Sequence, residues 1–136
     1  MILTDTGPLV ALLDVDDRHH QRCLAAIKQL PAEPMLTTWP CFTEATYLLG
    51  AVGGYRYQAS LWTLYTADRL HIHSFSSAEI ERMYKLMDQY KDTPMDLADA
   101  SLVAVAESLN IQQIFSIDSH FYIYRLLNNT VLQVIP

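Results

Sequence analysis

The sequence predicts an α/β fold in which helices cover both faces of a mostly parallel sheet of four to five strands. Short apolar runs alternate along the chain with longer segments of helical length, which is the order of strand–helix–strand units. Short apolar strands separated by helices are typical of a mostly parallel sheet covered on both faces. With 136 residues, 51% of them hydrophobic and 18% charged, the chain has the length and core content of one domain, residues 1–136.

The strands are predicted from short apolar runs that stop at turn residues. The first, Ile2–Thr4, is followed by Asp5-Thr6-Gly7-Pro8, which predicts a buried strand and then a tight turn. Three further strands are predicted over residues 35–39, 70–75 and 113–117, and a fifth candidate over residues 131–135.

The helices are predicted between these strands. Pro40 suits the first turn of a helix that runs to Leu49 and stops at Gly50, before a turn at residues 53–54. Ser76 and Glu79 have the spacing of a capping box, which predicts a helix from there to Tyr90. Other helices are predicted from residue 9 and over residues 18–30, 55–67 and 93–109. The last is apolar nearly all round and is therefore expected to be buried.

Charge and cysteine content limit the classes of function. The chain has 15 acidic and 9 basic residues, a formal net charge of −6, which argues against a nonspecific binder of nucleic acid or membrane. Cys23 and Cys41 lack a CxxC spacing and are interpreted as reduced thiols in a cytoplasm. The N-terminal apolar run carries Asp5 and lacks a basic segment, so a signal peptide or membrane span is not expected. A cytoplasmic protein is expected.

Five of the fifteen carboxylates lie at unusual positions, whereas the other ten, Glu79 and Glu107 among them, suit loops, helix ends or solvent-facing helix positions. Asp5 and Asp118 each follow a strand, and the carboxyl ends of parallel strands face the ligand-binding edge of an open α/β sheet. Glu44 lies one turn into a helix among neighbours that look mostly buried, although a solvated face is the simpler alternative. Asp96 and Asp99 are three residues apart and share one helix face.

Each of these acids also has a structural interpretation. Asp5 suits an Asx turn and Asp118 a helix N-cap. Thr93 and Asp96 have the spacing of a capping box, so capping and function are equally good interpretations of Asp96. Asp99 lies too far into the predicted helix to cap it, and burying an unpaired carboxylate is costly, which makes it the better functional candidate of the two.

Convergence of these acids would favour a metal ion. Four or five like charges at one edge repel each other strongly, and a divalent cation relieves that repulsion. Ligand sets made only of oxygen suit Mg²⁺ or Mn²⁺, and the chemistry of such sites is phosphoryl transfer, in which the ion activates water and offsets charge on the phosphate.

Asp5 after the first strand, Glu44 in an early helix, and the segments DLADASLVAVAE and SIDSHF resemble the PIN-domain nucleases, in particular the VapC-type toxins of toxin–antitoxin pairs. The resemblance implies a three-layer α/β/α sandwich and an acidic pocket that binds Mg²⁺ or Mn²⁺ and cleaves RNA. The acids that it implies as catalytic and metal-binding are Asp5, Glu44, Asp99 and Asp118. It implies Asp96 as an additional metal-binding acid, and the hydroxyls of Thr6 and Ser116 as supporting groups.

The implied activity is metal-dependent hydrolysis of RNA phosphodiester bonds by the toxin of a toxin–antitoxin pair. The resemblance also implies an antitoxin partner and a homodimer, and Arg18, Arg22 and Arg56 are candidates for RNA contacts. One departure concerns Ser116-Ile117-Asp118, because the family often has Thr-x-Asp with a polar middle residue.

Other functions have less support in the sequence. The alternative is a noncatalytic PIN-like module that binds protein or RNA. An aspartyl-phosphate phosphatase needs a second Asp where Gly7 stands, and His71 with His73 lacks the further ligands of a zinc site. A cluster of aromatic residues is interpreted as core or dimer surface: Tyr47, Tyr55, Tyr57, Trp62 and Tyr65.

Overall fold

The computed structural model describes all 136 residues and contains five strands and six α-helices. The strands are β1 (Ile2–Thr4), β2 (Met35–Thr37), β3 (Leu70–Ile72), β4 (Gln113–Phe115) and β5 (Gln133–Ile135). The helices are α1 (Thr6–Leu13), α2 (His20–Gln29), α3 (Trp39–Gly53), α4 (Tyr55–Thr66), α5 (Ser77–Gln89) and α6 (Leu97–Leu109), with a short 3₁₀ helix at Ser119–Tyr122.

The sheet has the order β3-β2-β1-β4-β5, and every neighbouring pair is parallel. β1 lies at the centre, so the chain extends the sheet first on one side through β2 and β3 and then on the other through β4 and β5. The strand order therefore reverses between β1 and β4, and open α/β sheets bind ligands beyond the carboxyl ends of the strands at such a point. The α/β prediction is confirmed, including the fifth strand.

Side chains of the strands divide the interior into two cores. Leu3 and Ile114 join buried residues of α5 and α6, whereas Phe115 joins Leu9 and Leu61 in the core formed with α1, α2, α3 and α4. This division follows from the alternation of side chains along a strand. It produces the predicted three layers, and α6 is buried from Ala98 to Ala106, as its apolar sequence indicated. None of the helices has the length and apolar character that a membrane crossing requires.

Three helix boundaries differ from the prediction, one of them the start of α6, which lies at Leu97 instead of residue 93. α1 begins directly at Thr6, because Asp5 is its N-cap, so the predicted turn before residue 9 is wrong. α3 continues through Gly50 to Gly53, where it was predicted to stop. The reason lies in α4, whose Gln58 side chain packs against Gly50 and donates a hydrogen bond of 3.0 Å to the Thr46 carbonyl. Gly54, with φ of 68°, then makes the turn between the two helices.

Glu79 and Glu107, which were predicted to lie at helix ends or solvent-facing helix positions, have side chains that are only 8% and 6% exposed. Glu79 closes the predicted capping box on Ser76, and its carboxylate also lies 2.9 Å from the His73 imidazole. The Glu107 side chain is 6% exposed and accepts two hydrogen bonds from Arg82, at 2.8 and 3.1 Å. It also accepts one from the Leu127 amide at 2.8 Å, so this carboxylate joins α5, α6 and the chain before β5.

Glu107→Gln is expected to lower the free energy of unfolding by about 2 kcal/mol, because it leaves the Arg82 guanidinium without its charge partner in a covered position. Chemical denaturation monitored by circular dichroism measures this. Glu81→Gln is the matched control: it breaks an exposed ion pair of 3.3 Å with Lys85 and should change stability by less than about 0.5 kcal/mol. An equal loss of stability in Glu107→Gln and Glu81→Gln would show that the Glu107 carboxylate does not hold α5, α6 and the chain before β5 together.

Candidate active site

Asp5 lies at the carboxyl end of β1 and is 6% exposed. One carboxylate oxygen accepts the Thr6 amide at 2.7 Å, and the other accepts the Ser116 hydroxyl at 2.8 Å. The Ser116 hydroxyl itself accepts the Asp118 amide at 3.0 Å, so it connects the end of β1 to the loop after β4. Ser116 thus supports Asp5 directly, whereas the Thr6 hydroxyl contacts the Cys41 carbonyl, at 3.4 Å, and Thr6 meets the acid only through its amide.

Cys41 also lies beside Asp5, with its sulfur 3.9 Å from a carboxylate oxygen. Burial, with the nearby Asp5 charge, raises the pKa of the Cys41 thiol to about 12. It is therefore a neutral core residue, as the sequence indicated, and does not act as a nucleophile.

Asp96 and Asp99 form a reciprocal capping box at the start of α6. The Asp99 amide donates to Asp96 at 2.8 Å, and the Asp96 amide lies 3.5 Å from Oδ2 of Asp99. The prediction of a capping box between Thr93 and Asp96 is therefore wrong, as is the expectation that Asp99 lies too far along the helix to cap it. Asp99 is 5% exposed, and its Oδ2 atom also accepts the Tyr124 hydroxyl at 2.9 Å.

Asp118 is the N-cap of the 3₁₀ helix, and its Oδ1 atom accepts the His120 amide at 2.9 Å. The His120 imidazole Nδ1 lies 2.9 Å from the same oxygen. Asp99, Asp118 and His120 each offer one ligand atom, and these three atoms lie within 4.8 Å of one another. His120 was not identified from the sequence. The DSHF segment held the only signal, an imidazole two residues after a candidate ligand.

Glu44 is exposed on α3, and its charge acts on Asp5. Together with Asp96 it lines an open groove of about 680 Å³ between α3 and the start of α6, beside Trp39 and Tyr47. The expected burial around Glu44 holds for Phe42, Ala45 and Leu49 but is wrong for Tyr47, which is 73% exposed, and for Leu48. The structure therefore brings Asp5, Asp99 and Asp118 to one edge and leaves Glu44 and Asp96 on the adjoining groove.

The pKa values of the buried acids reflect this crowding. Burial raises the pKa of Asp5 to about 6 against the hydrogen bonds from Ser116 and Thr6, and the charges of Asp118 and Glu44 raise it further. Burial and the Asp96 charge raise the pKa of Asp99 to about 7, with smaller contributions from Asp5 and Asp118. The acids therefore interact electrostatically, which is the condition for a cation to be held among them.

The carboxylate oxygens are arranged so that some are free to bind a cation. The hydrogen bonds to Asp99 reach only Oδ2, and those to Asp96 and Asp118 reach only Oδ1. No buried side-chain oxygen or nitrogen lacks a hydrogen-bond partner, so the second oxygen of each of these acids is accessible to solvent. Accessible carboxylate oxygens grouped at one edge of the sheet fit a hard divalent cation such as Mg²⁺ or Mn²⁺.

The remaining candidates lie apart from this cluster. His71 contacts Asp68 at 2.6 Å and His73 contacts Glu79, so the two imidazoles do not share a metal site. Of the aromatic residues predicted as core or dimer surface, Tyr57 is partly buried and packs against the core, whereas the others are exposed: Tyr47, Tyr55, Trp62 and Tyr65. The dimer surface stays a prediction. Arg18, Arg22 and Arg56 are exposed, none of them lines the groove beside Glu44, and their contact with RNA also stays a prediction.

Comparison with solved structures identifies the same fold in other proteins. VapC20 from Mycobacterium tuberculosis, described as a toxin that cleaves the sarcin-ricin loop, is 18% identical over all of both chains, with a TM-score of 0.85. VapBC2 from Rickettsia felis, solved with a fragment of promoter DNA, is 16% identical over all of both chains, with a TM-score of 0.67. FitAcB from Neisseria gonorrhoeae is 15% identical, covers 100% of this chain and 97% of its own, and has a TM-score of 0.64.

At these identities the solved structures establish the fold alone, and a search of curated proteins found no match. The family is established by sequence: the model of the PIN domain family matches residues 2–126, nearly the whole chain. The chain belongs to the PIN domain family.

Proposed function

We propose that this protein is a Mg²⁺- or Mn²⁺-dependent endoribonuclease and the toxin of a toxin–antitoxin pair. The observation that supports the proposal most is the cluster of mutually repelling acids, the buried Asp5 and Asp99 with the partly exposed Asp118, at the point of a PIN domain where strand order reverses. The reaction is hydrolysis, in which water adds across one P–O ester bond of RNA and leaves a phosphate monoester and a hydroxyl.

Asp5, Asp99 and Asp118 would hold the ion, with His120 beside the last two. When bound, the ion supplies Lewis-acid activation of water and neutralises charge on the phosphate. Ser116 fixes the orientation of Asp5, and the amides at the starts of α1 and α6 hold single oxygens of Asp5 and Asp96. Asp96 and Glu44, whose outer oxygens face the groove, would orient water or a second ion.

Access and similarity support RNA as the substrate. The groove of about 680 Å³ beside Glu44 is open to solvent, so the acids that line it are accessible to a large substrate such as RNA. VapC20, with a TM-score of 0.85, is described as cleaving the sarcin-ricin loop, an RNA element. The similar folds from Rickettsia felis and Klebsiella pneumoniae were solved as toxin–antitoxin assemblies, which supports an antitoxin as the protein partner here.

Purified protein is expected to cleave RNA in the presence of Mn²⁺ or Mg²⁺ and to lose this activity with a chelator. Asp5→Asn and Asp99→Asn should each lower the rate by at least about 100-fold, because each removes a charge that holds the ion. Asp88→Asn, at an exposed position of α5, is the control and should leave the rate unchanged. Gel analysis of end-labelled RNA measures the cleavage rate of the wild-type protein and the three variants. If wild-type protein binds RNA and metal and leaves the RNA intact, the protein is a noncatalytic binding module.

Metal-free protein should become less stable, relative to Asp99→Asn, as the pH rises from about 4 to about 7. The pKa of Asp99 is about 7 in the folded state and near 4 when unfolded. The folded state therefore binds the proton more tightly in this window, and stability falls as the proton is lost. At pH 8 in chelator, Asp99→Asn should melt about 5 °C above wild type, and at pH 4 the two should coincide.

Thermal melts of wild type, Asp99→Asn and Asp88→Asn at several pH values measure this difference. Added Mn²⁺ should raise the melting temperature of wild type at pH 8 and not that of Asp99→Asn, because the ion replaces the proton as the partner of the carboxylate. A constant difference between wild type and Asp99→Asn from pH 4 to 8 would contradict the raised pKa.

A further inference from the structure

Tyr124 is a buried residue that no metal-binding pattern includes, yet its hydroxyl contacts the candidate site. It is 2% exposed, and its hydroxyl lies 2.9 Å from Oδ2 of Asp99 and 3.2 Å from the Pro94 carbonyl. The phenol has a single proton, which it shares between these two acceptors. It therefore connects the chain after the 3₁₀ helix to the start of α6, at the acid with the most raised pKa of the cluster.

The two oxygens of Asp99 have different surroundings because of this contact. The phenol and the Asp96 amide both approach Oδ2, whereas Oδ1 receives no hydrogen bond from the protein. Since no buried side-chain oxygen lacks a partner, Oδ1 is accessible to solvent. Asp118 and His120 each offer a ligand atom within 4.8 Å of a carboxylate oxygen of Asp99.

The segment that carries Tyr124 is itself fixed to the domain. The Tyr124 ring packs edge-on against Tyr90 and Phe121, with centroids 5.2 and 5.4 Å away. The next amide, that of Arg125, donates to the Tyr90 hydroxyl at 2.8 Å, and the Leu127 amide donates to Glu107. The phenol oxygen is therefore held in place independently of Asp99, which allows it to orient the carboxylate and not merely follow it.

We propose that Tyr124 is a positioning residue that holds Oδ2 of Asp99 and turns Oδ1 toward the metal ion. This inference rests on the proposed metal site and adds a residue that acts through a ligand without touching the ion. A hydrogen bond to one oxygen of a ligating carboxylate fixes its orientation before the ion arrives, and loss of such a partner typically weakens metal binding about 10-fold to 100-fold.

Tyr124→Phe tests the proposal because it removes the hydroxyl and keeps the ring that packs on Tyr90 and Phe121. Mn²⁺ titration by isothermal calorimetry, with wild-type protein, is expected to show an affinity at least about 10-fold weaker for Tyr124→Phe. Tyr84→Phe and Tyr122→Phe each remove an exposed phenol whose hydroxyl makes no contact with Asp99. Both controls should bind Mn²⁺ within about twofold of wild type, and thermal melts in chelator check that all variants are folded.

Two further measurements separate positioning from a general loss of packing. The Mn²⁺ concentration for half-maximal RNA cleavage should rise about 10-fold in Tyr124→Phe, while the rate at saturating Mn²⁺ stays near that of wild type. In a double-mutant cycle, Tyr124→Phe should weaken Mn²⁺ binding no further once Asp99→Asn is present. Both results require that the phenol acts through Asp99.

Equal Mn²⁺ affinity of wild type and Tyr124→Phe would overturn the inference, as would an equal loss of affinity in Tyr122→Phe, which would indicate general loosening of the segment. Wild-type protein that binds Mn²⁺ and does not cleave RNA would refute the proposed activity alone, because the ratio of affinities still measures the role of Tyr124. Wild-type protein that binds no Mn²⁺ would refute both.

Discussion

The crowding of like charges at the carboxyl edge of the sheet is the constraint on which the rest of the site depends. Asp5 and Asp99 are almost fully buried, and burial of a carboxylate is costly unless hydrogen bonds compensate for lost water. The fold supplies that compensation with backbone amides at helix starts: Asp5 caps α1, Asp96 and Asp99 cap α6 together, and Asp118 caps the 3₁₀ helix. Helix N-termini also carry partial positive charge, which stabilises the same carboxylates.

Structural and functional interpretations of these acids are therefore compatible. Capping uses one oxygen of Asp96 and of Asp118, and the capping box with Tyr124 uses one oxygen of Asp99. The second oxygen of each can then bind a cation. Asp5 differs, since Thr6 and Ser116 engage both of its oxygens, and each oxygen still has a second lone pair for an ion. The capping hydrogen bonds fix the orientation of the carboxylates. The electrostatic repulsion that remains between the carboxylates favours binding of a divalent ion.

The features of the fold that could be predicted from the sequence are those that depend on local sequence patterns. Alternating apolar runs and helical segments were sufficient for five parallel strands, and the position of Asp5 and Asp118 directly after strands was sufficient to place them at one edge. The capping box at Ser76 was recognised because its partners are three residues apart. The same spacing was misread at Thr93, because nothing in the local pattern distinguishes a Thr–Asp box from the Asp96–Asp99 box one turn later.

The features that sequence could not provide depend on contacts between distant residues. Tyr124 meets Asp99 across 25 positions, and an aromatic residue in an apolar segment looks like ordinary core. Glu107 looked solvent-facing because its partners, Arg82 and the Leu127 amide, are 25 and 20 positions away. The extension of α3 through Gly50 depends on Gln58 of the next helix. In each case the decisive contact is with a residue that is distant in sequence, and the neighbouring residues in the sequence do not indicate that contact.

The net charge of −6 can now be assigned to a place in the molecule. Without Asp5, Glu44, Asp99 and Asp118, the fifteen acids become eleven against nine basic residues, which leaves −2. Much of the excess charge is thus concentrated at one edge of the sheet and in the groove beside it, where it repels the phosphates of any RNA that approaches. A divalent ion removes half of those four charges. In the proposed function, tight binding of RNA at this edge would therefore require the ion first. The acidic composition, which alone argued against a nucleic-acid substrate, would then mean that the ion binds before the RNA.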